Sequence, residues 1–142
     1  MTESTEAIRN KINKAENWEE LTAIMDSYED KKFGDRLYEL CENRDKKFKD
    51  VMADIAVSQS MLYDVLNNKK IPSKETVIKI AFGIGLSEAE LNELLKLANH
   101  KELYAKNKED AIIIFGLKNK KDIYDIDKML ETNGFKMKLV DR

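Results

Sequence analysis

VSQSMLYDVLNNKKIPS, residues Val57 to Ser73, is the stretch on which the rest of the chain turns. Val57, Leu62 and Val65 are apolar at helical spacing, so they share the inward side of a short helix. Ser58 stands in the N-cap position, and Gln59 and Ser60 then face outward at the tip. One turn on, Asp64 shares the face of Ser60. Asn67, Lys69 and Lys70 fall in the loop that follows, and Pro72 with Ser73 stops that loop and caps a new helix.

Working outward, the next helix carries Val77, Ile78, Ile80 and Ala81 on its apolar side. The one after it is marked by Leu86-Ser87-Glu88-Ala89-Glu90-Leu91, which combines a capping box (Ser87 with Glu90) and a hydrophobic staple (Leu86 with Leu91), and it continues through Leu94, Leu95 and Leu97. Upstream, Val51, Met52 and Ile55 predict a short helix, and Phe33, Leu37, Leu40 and Cys41 predict a longer one. Asn17-Trp18-Glu19-Glu20 reads as a cap opening a helix with Leu21, Ile24, Met25 and Tyr28 on one side. Before it, Ala7, Ile8, Ile12 and Ala15 make a shorter amphipathic stretch. Beyond residue 99, Asn107 caps a helix containing Ile112 to Ile114, and DIYDIDKMLETNGF predicts another that ends at Gly134, where a left-handed C-cap suits glycine. The isoleucine run also suits a buried strand, but its polar flanks favour helix. The expectation is an all-α chain with an acidic helical extension over 1–31, a central domain over 32–98 and a helical extension over 99–142 that packs on the core or on a dimer mate.

The chain has 142 residues, with 25 basic against 27 acidic side chains. Residues 1–31 hold 4 basic and 8 acidic groups, 32–98 hold 11 and 11, and 99–142 hold 10 and 8. No global field draws the protein toward phosphate, and the central domain is neutral. The single cysteine, Cys41, has no partner for an internal disulfide, and no apolar run approaches a membrane span. With no signal-like pattern at the start of the chain, a cytoplasmic protein with no membrane partner is expected. There is no glycine-rich phosphate loop and no spaced set of metal ligands, and His100 is the only histidine. Asp125 and Asp127 are two apart and diverge on a helix, which suits a solvated face better than a catalytic pair. His100 follows a leucine-rich helix whose dipole it favours. No enzyme, cofactor or metal is expected.

In a helix-turn-helix unit the first helix braces the DNA backbone and the second lies in the major groove, offering short polar side chains at its N-terminal end. Val57-Ser58-Gln59-Ser60 meets that need. Residues 33–98 resemble the lambda-repressor-like, Cro-type (XRE) helix-turn-helix domain, a five-helix fold common among bacterial and phage regulators; the match covers just under half of the chain. VSQSMLYDVLNNKKIPS is similar to the family's apolar-Ser entry to the recognition helix, its Asn-Gly-Lys turn and its Pro-Ser start to the fourth helix, and VIKIAFGIGLSEAELNELL resembles its last two helices. The whole chain, with its acidic start and a tail such as NKEDAIIIFGLKNK, resembles a group of small Cro-type proteins from Firmicutes.

The resemblance implies a DNA-binding set of Ser58, Gln59, Ser60, Tyr63, Asp64, Asn67, Lys69 and Lys70. Gln59, Ser60 and Asp64 match positions that contact base edges: Gln pairs with adenine, Ser with several partners, and Asp accepts from cytosine N4. Asn67 and Lys69 match the backbone-contacting turn. The chain also departs from the pattern. Phe48 stands where the family has a phosphate-binding Gln, Asn68 replaces the turn glycine, and Asp64 would lie near phosphate. Cys41 and Leu66 replace an Arg and Glu that join the first helix to the recognition helix. Exchanging a partly buried ion pair for two apolar side chains preserves stability when both change together, so Cys41 is expected in the core.

Two functions follow. One is a sequence-specific regulator of transcription that reads double-stranded DNA with the helix over 59–66, in which case a homodimer would present two recognition helices to half-sites one turn apart. The other is the same scaffold reused for protein binding, as an antitoxin-like, inhibitory or adaptor module, with Phe48, Met61, Tyr63 and Trp18 as contact candidates. Trp18, Leu21, Met25 and Tyr28 make a larger apolar strip than a surface helix should expose, so they are expected to cover the central domain or form a dimer contact, the former being favoured.

Overall fold

An α-helix leaves its first backbone N–H groups unpaired, and the sequence supplies a side-chain acceptor for most helix starts. The computed structural model describes residues 4–27, 31–44, 50, 55 and 57–140, which form eight helices and no strand. These are α1 (Thr5–Lys14), α2 (Trp18–Ser27), α3 (Phe33–Asn43), α4 (Gln59–Leu66), α5 (Lys74–Ile84), α6 (Glu88–Leu97), α7 (Lys108–Lys118) and α8 (Ile123–Thr132). Ser58, Ser73 and Ser87 accept from Met61, Thr76 and Glu90 N–H at 3.1, 3.2 and 3.2 Å. Asn107 and Asp122 do the same for α7 and α8. Ser87 and Glu90 close the full capping box. Asn17 accepts from Glu20 N–H at 2.9 Å, whereas the Glu20 carboxylate takes the N–H of Glu16 rather than that of Asn17.

The chain divides into two compact units, 1–31 and 32–142. In the first, α1 packs against α2, but neither helix has a buried residue. Trp18 is 82% exposed. The cover expected for the apolar strip is therefore not provided within this pair of helices; Tyr28 lies outside the described residues.

In the second unit, α3 packs on α4 and α6, α5 on α6 and α8, α6 on α7, and α7 on α8. One core runs through all of it: Leu37, Leu40, Leu62, Ile78, Ile80, Leu91, Leu94, Leu95, Ile113, Leu130 and Leu139 are almost wholly buried. Burying a side chain of this kind contributes about 1.5–3 kcal/mol. Val51 and Met52, two of the three apolar residues of the short helix expected before α4, lie outside the described residues, whereas Ile55 is buried. The segment over 99–140 shares the core of α3 to α6 in the same chain. Gly134 takes φ 79°, as expected for a C-cap, and Met137 and Leu139 then return along the unit as buried side chains.

Two buried acids tie this tail down. Asp110, 4% exposed, accepts from Lys74 Nζ at 2.8 Å and from Tyr104 N–H at 2.9 Å. Asp127, 3% exposed, accepts from Leu139 N–H at 2.7 Å. This corrects the expected solvated face for Asp125 and Asp127: Asp125 is exposed, but the return of the chain after Gly134 covers Asp127 and gives it a donor. His100 follows the end of α6 and makes a further contact that its place in the sequence does not predict. Its Nε2 lies 2.8 Å from the carbonyl oxygen of Pro72, which can only accept, so Nε2 carries the proton and ties the end of α6 to the loop before α5.

Burial of the Glu90 carboxylate works to raise its pKa. The Ser87 backbone N–H, the Arg44 guanidinium and the Ser87 hydroxyl together outweigh burial and hold Glu90 below the usual range. A group with a depressed folded pKa stabilises the fold above its unfolded pKa and loses that contribution as pH falls through the folded value. The stability advantage of the native chain over Glu90→Gln should thus be complete above about pH 5 and fade below about pH 4 in denaturant titrations; a pH-independent difference would contradict the assignment.

Candidate functional site

The helix from Gln59 to Leu66 is held by its inward side. Leu62 and Val65 are buried, and Val57 and Met61 pack against the core beneath them. What remains outside is a polar turn. Ser58, Gln59, Ser60 and Tyr63 are exposed, followed by Asn67, Asn68, Lys69 and Lys70 in the loop. The eight residues inferred from the sequence thus fall on one helix and its following loop. Met61, expected among the exposed contacts, is instead half-buried against the core, because its position brings it toward the side of Leu62 and Val65. Tyr63 stays 45% exposed and Trp18 is exposed in the other unit, whereas Phe48 lies outside the described residues.

The end of this helix packs closely on the start of α3. A Cβ built on Gly34 would lie 2.2 Å from the backbone oxygen of Leu66 and 2.7 Å from that of Val65, so no side chain fits there. Asn68 completes the joint. It takes φ 61°, a left-handed conformation that Asn tolerates better than most residues. Its Oδ1 accepts from Gly34 N–H at 2.8 Å, and its Nδ2 donates to Asp35 Oδ1 at 3.3 Å. Asn68 therefore bonds the loop after α4 to the first turn of α3, which a glycine could not do.

Asp64 is half-buried and its Oδ2 lies 3.4 Å from Lys70 Nζ. The acid therefore meets a cation of its own loop. Its backbone carbonyl also accepts from Lys69 N–H at 2.8 Å, which curls the loop back over the helix end. Lys69 carries no such acid within ion-pair distance among the described residues and is the less compensated of the two lysines.

Cys41 lies in the core at 1% exposure, and Leu66 is half-buried. Burial pushes the Cys41 thiol up to about 11, only partly opposed by the charge of Arg44, so it stays protonated and unreactive at neutral pH. Among the described residues no three His, Cys, Asp or Glu side chains gather in a way that could hold a metal ion, and no helix is long and apolar enough to cross a membrane. Sequence reasoning missed Ile71, 66% exposed beside the lysine pair, because an isoleucine before Pro72 reads equally well as a core residue.

No family model matches this chain, and comparison with curated proteins and with solved structures finds no match.

The Gly34 and Asn68 contacts yield two expected outcomes. Gly34→Ala should destabilise the second unit by about 1–3 kcal/mol, the usual cost of overpacking, because the obstacle is backbone rather than a movable side chain. Asn68→Ala should cost more than Asn68→Gly, since alanine loses both hydrogen bonds and keeps the strained φ, whereas glycine loses only the bonds. Chemical denaturation of the three variants checks both; equal losses at Asn68 would show that the left-handed turn is not a constraint.

Proposed function

We propose that residues 33–98 form a lambda-repressor-like helix-turn-helix domain and that the protein is a sequence-specific DNA-binding regulator of transcription, with α4 as its recognition helix. The observation that carries this reading is the outer face of α4: Gln59, Ser60 and Tyr63 stand exposed at the end of the helix that Ser58 caps, while Leu62 and Val65 anchor the opposite side. Short polar groups at the N-terminal end of a helix are what base-edge readout in the major groove uses. Lys69 supplies a cation for the flanking phosphate, and Lys70 supplies one only when released from Asp64.

The Asp64–Lys70 pair also supports a different use of the same scaffold. It neutralises one of the two loop cations in a domain of zero net charge, and Tyr63 and Ile71 are exposed beside it. Exposed aromatic and aliphatic groups rimmed by polar residues suit a protein surface. On this second reading the chain is a protein-binding module, antitoxin-like, inhibitory or adaptor, with little affinity for DNA. A homodimer belongs with the DNA reading, since two copies of α4 would meet two half-sites.

Selection of bound sequences from a random duplex pool at low salt separates the two. The DNA reading expects an enriched, roughly palindromic motif. Lys69→Ala should weaken binding to all sequences and lower the salt slope by about one, while Lys70→Ala should lower it by less because Asp64 already occupies that ammonium. Gln59→Ala should relax preference at one base pair. No enrichment, with weak binding at every salt concentration, would overturn the DNA reading and favour the protein-binding one.

A further inference from the structure

The α7 helix carries more apolar surface than one side of a helix can bury. Ile112, Ile113, Ile114 and Phe115 are consecutive, and successive residues of a helix turn by about 100°, so the four point around most of its circumference. Ile113 and Leu117 take the core side and are buried. Phe115 is thereby turned outward and stays 57% exposed, and Ile112, three positions earlier on the same face, is half-buried. A helix that is apolar all round is ordinarily covered all round.

The same face continues onto α8. Gly116 lets the two helices close together, since a Cβ there would lie 2.5 Å from Ile126 Cδ1. Ala111, Ile112 and Phe115 from α7 and Ile126 and Met129 from α8 line an open groove of about 470 Å³. Met129 is 49% exposed. Lys121 and Asp125 line the groove as well, and both are exposed. Their charges are opposite, yet neither is ion-paired, with the other or with any side chain among the described residues.

These features restrict the partner. A docking surface of one sign would satisfy one of the two charges and repel the other. A surface that meets the whole face has an apolar projection beside an acid and a base. The α7–α8 face is itself such a surface. In a two-fold contact the same patch is used twice, so that residue i meets j and j meets i. Lys121 of one copy then meets the partner's Asp125 and Asp125 meets the partner's Lys121, while Phe115 is both a wall of its own groove and a projection into the opposite one.

We propose that two copies of this chain associate through the α7–α8 face in a two-fold symmetric contact, with Phe115 at its apolar centre and Lys121 and Asp125 paired reciprocally across it. Two neighbouring helices of this length present a face about 16 Å long and roughly 20 Å wide. Such a face is at the small end of specific interfaces, so the association belongs to the micromolar range. The contact uses none of the outer residues of α4 and is measured without DNA, so it holds or fails independently of the DNA reading.

The test is sedimentation equilibrium of the full chain, without DNA, across the micromolar range. A reversible monomer–dimer equilibrium is expected. Phe115→Glu should weaken it at least tenfold and leave the helical circular dichroism unchanged, because the side chain is exposed. Lys121→Asp and Asp125→Lys should each weaken it severalfold by setting like charges opposite one another. Mixing these two variants should restore association as a heterodimer, since every facing pair is then of opposite sign, and the double variant Lys121→Asp/Asp125→Lys should again form a homodimer. Should Phe115→Glu fail to fold, the mixing experiment decides alone, as it alters only two exposed charged positions. The proposal is overturned by a chain that stays monomeric at every concentration, which would leave the groove to a different protein. It is equally overturned by charge variants that associate no better mixed than alone, or by a dimer that survives Phe115→Glu and is lost in Trp18→Ala, which would place the contact on the first unit.

Discussion

The contact between Gly34 and the carbonyls of Val65 and Leu66 is the constraint on which the second unit depends. It lets the first turn of α3 rest directly on the last turn of α4, at a separation no Cβ would permit. Asn68 secures the same joint from the loop side through its bonds to Gly34 and Asp35. With the end of α4 fixed this way, Leu62 and Val65 are directed into the core and Gln59, Ser60 and Tyr63 away from it. The outer face of α4 is thus a product of packing on its inner side.

Around this joint, charged side chains align α3 with α6. Arg36 reaches Glu93 at 2.6 Å and Glu39 at 3.1 Å, and Arg44 pairs with Glu90. Such partly exposed pairs stabilise little, about 0–1 kcal/mol each. Their effect is on orientation, since both arginines lie on or at the end of one helix and reach acids on the same neighbour. Glu90 is simultaneously part of the cap that starts α6, so the alignment of α3 and the start of α6 are coupled through one carboxylate.

The buried acids of the tail have a different role. Asp110 and Asp127 are each withdrawn from water, which is tolerable only because donors meet them. Lys74 and Tyr104 serve Asp110, and Leu139 serves Asp127. These bonds link α7 to the first turn of α5 and the last residues of the unit to α8. Together with Ile113, Leu117, Ile126 and Leu130 they make the tail part of the core.

Where the described helices lie, and which side of each is apolar, was legible from residue order alone. Caps and periodicity are local: Ser58, Ser73, Ser87 and Asn107 bond to residues three positions away, and Leu62 with Val65 share a face through helical geometry alone. The same local rules made the exposed turn Gln59, Ser60, Tyr63 and the loop lysines legible. Contacts between residues distant in the chain were not legible in this way, because they depend on how the helices pack. Asp127 became buried because the chain returns over it at Leu139, and His100 met the Pro72 carbonyl 28 positions earlier. Asp64 was given Lys70 by the way the loop curls after α4. Met61 lost its exposure to a neighbouring core that periodicity does not describe. Periodicity says which side chains of a helix point the same way; only packing says what they meet.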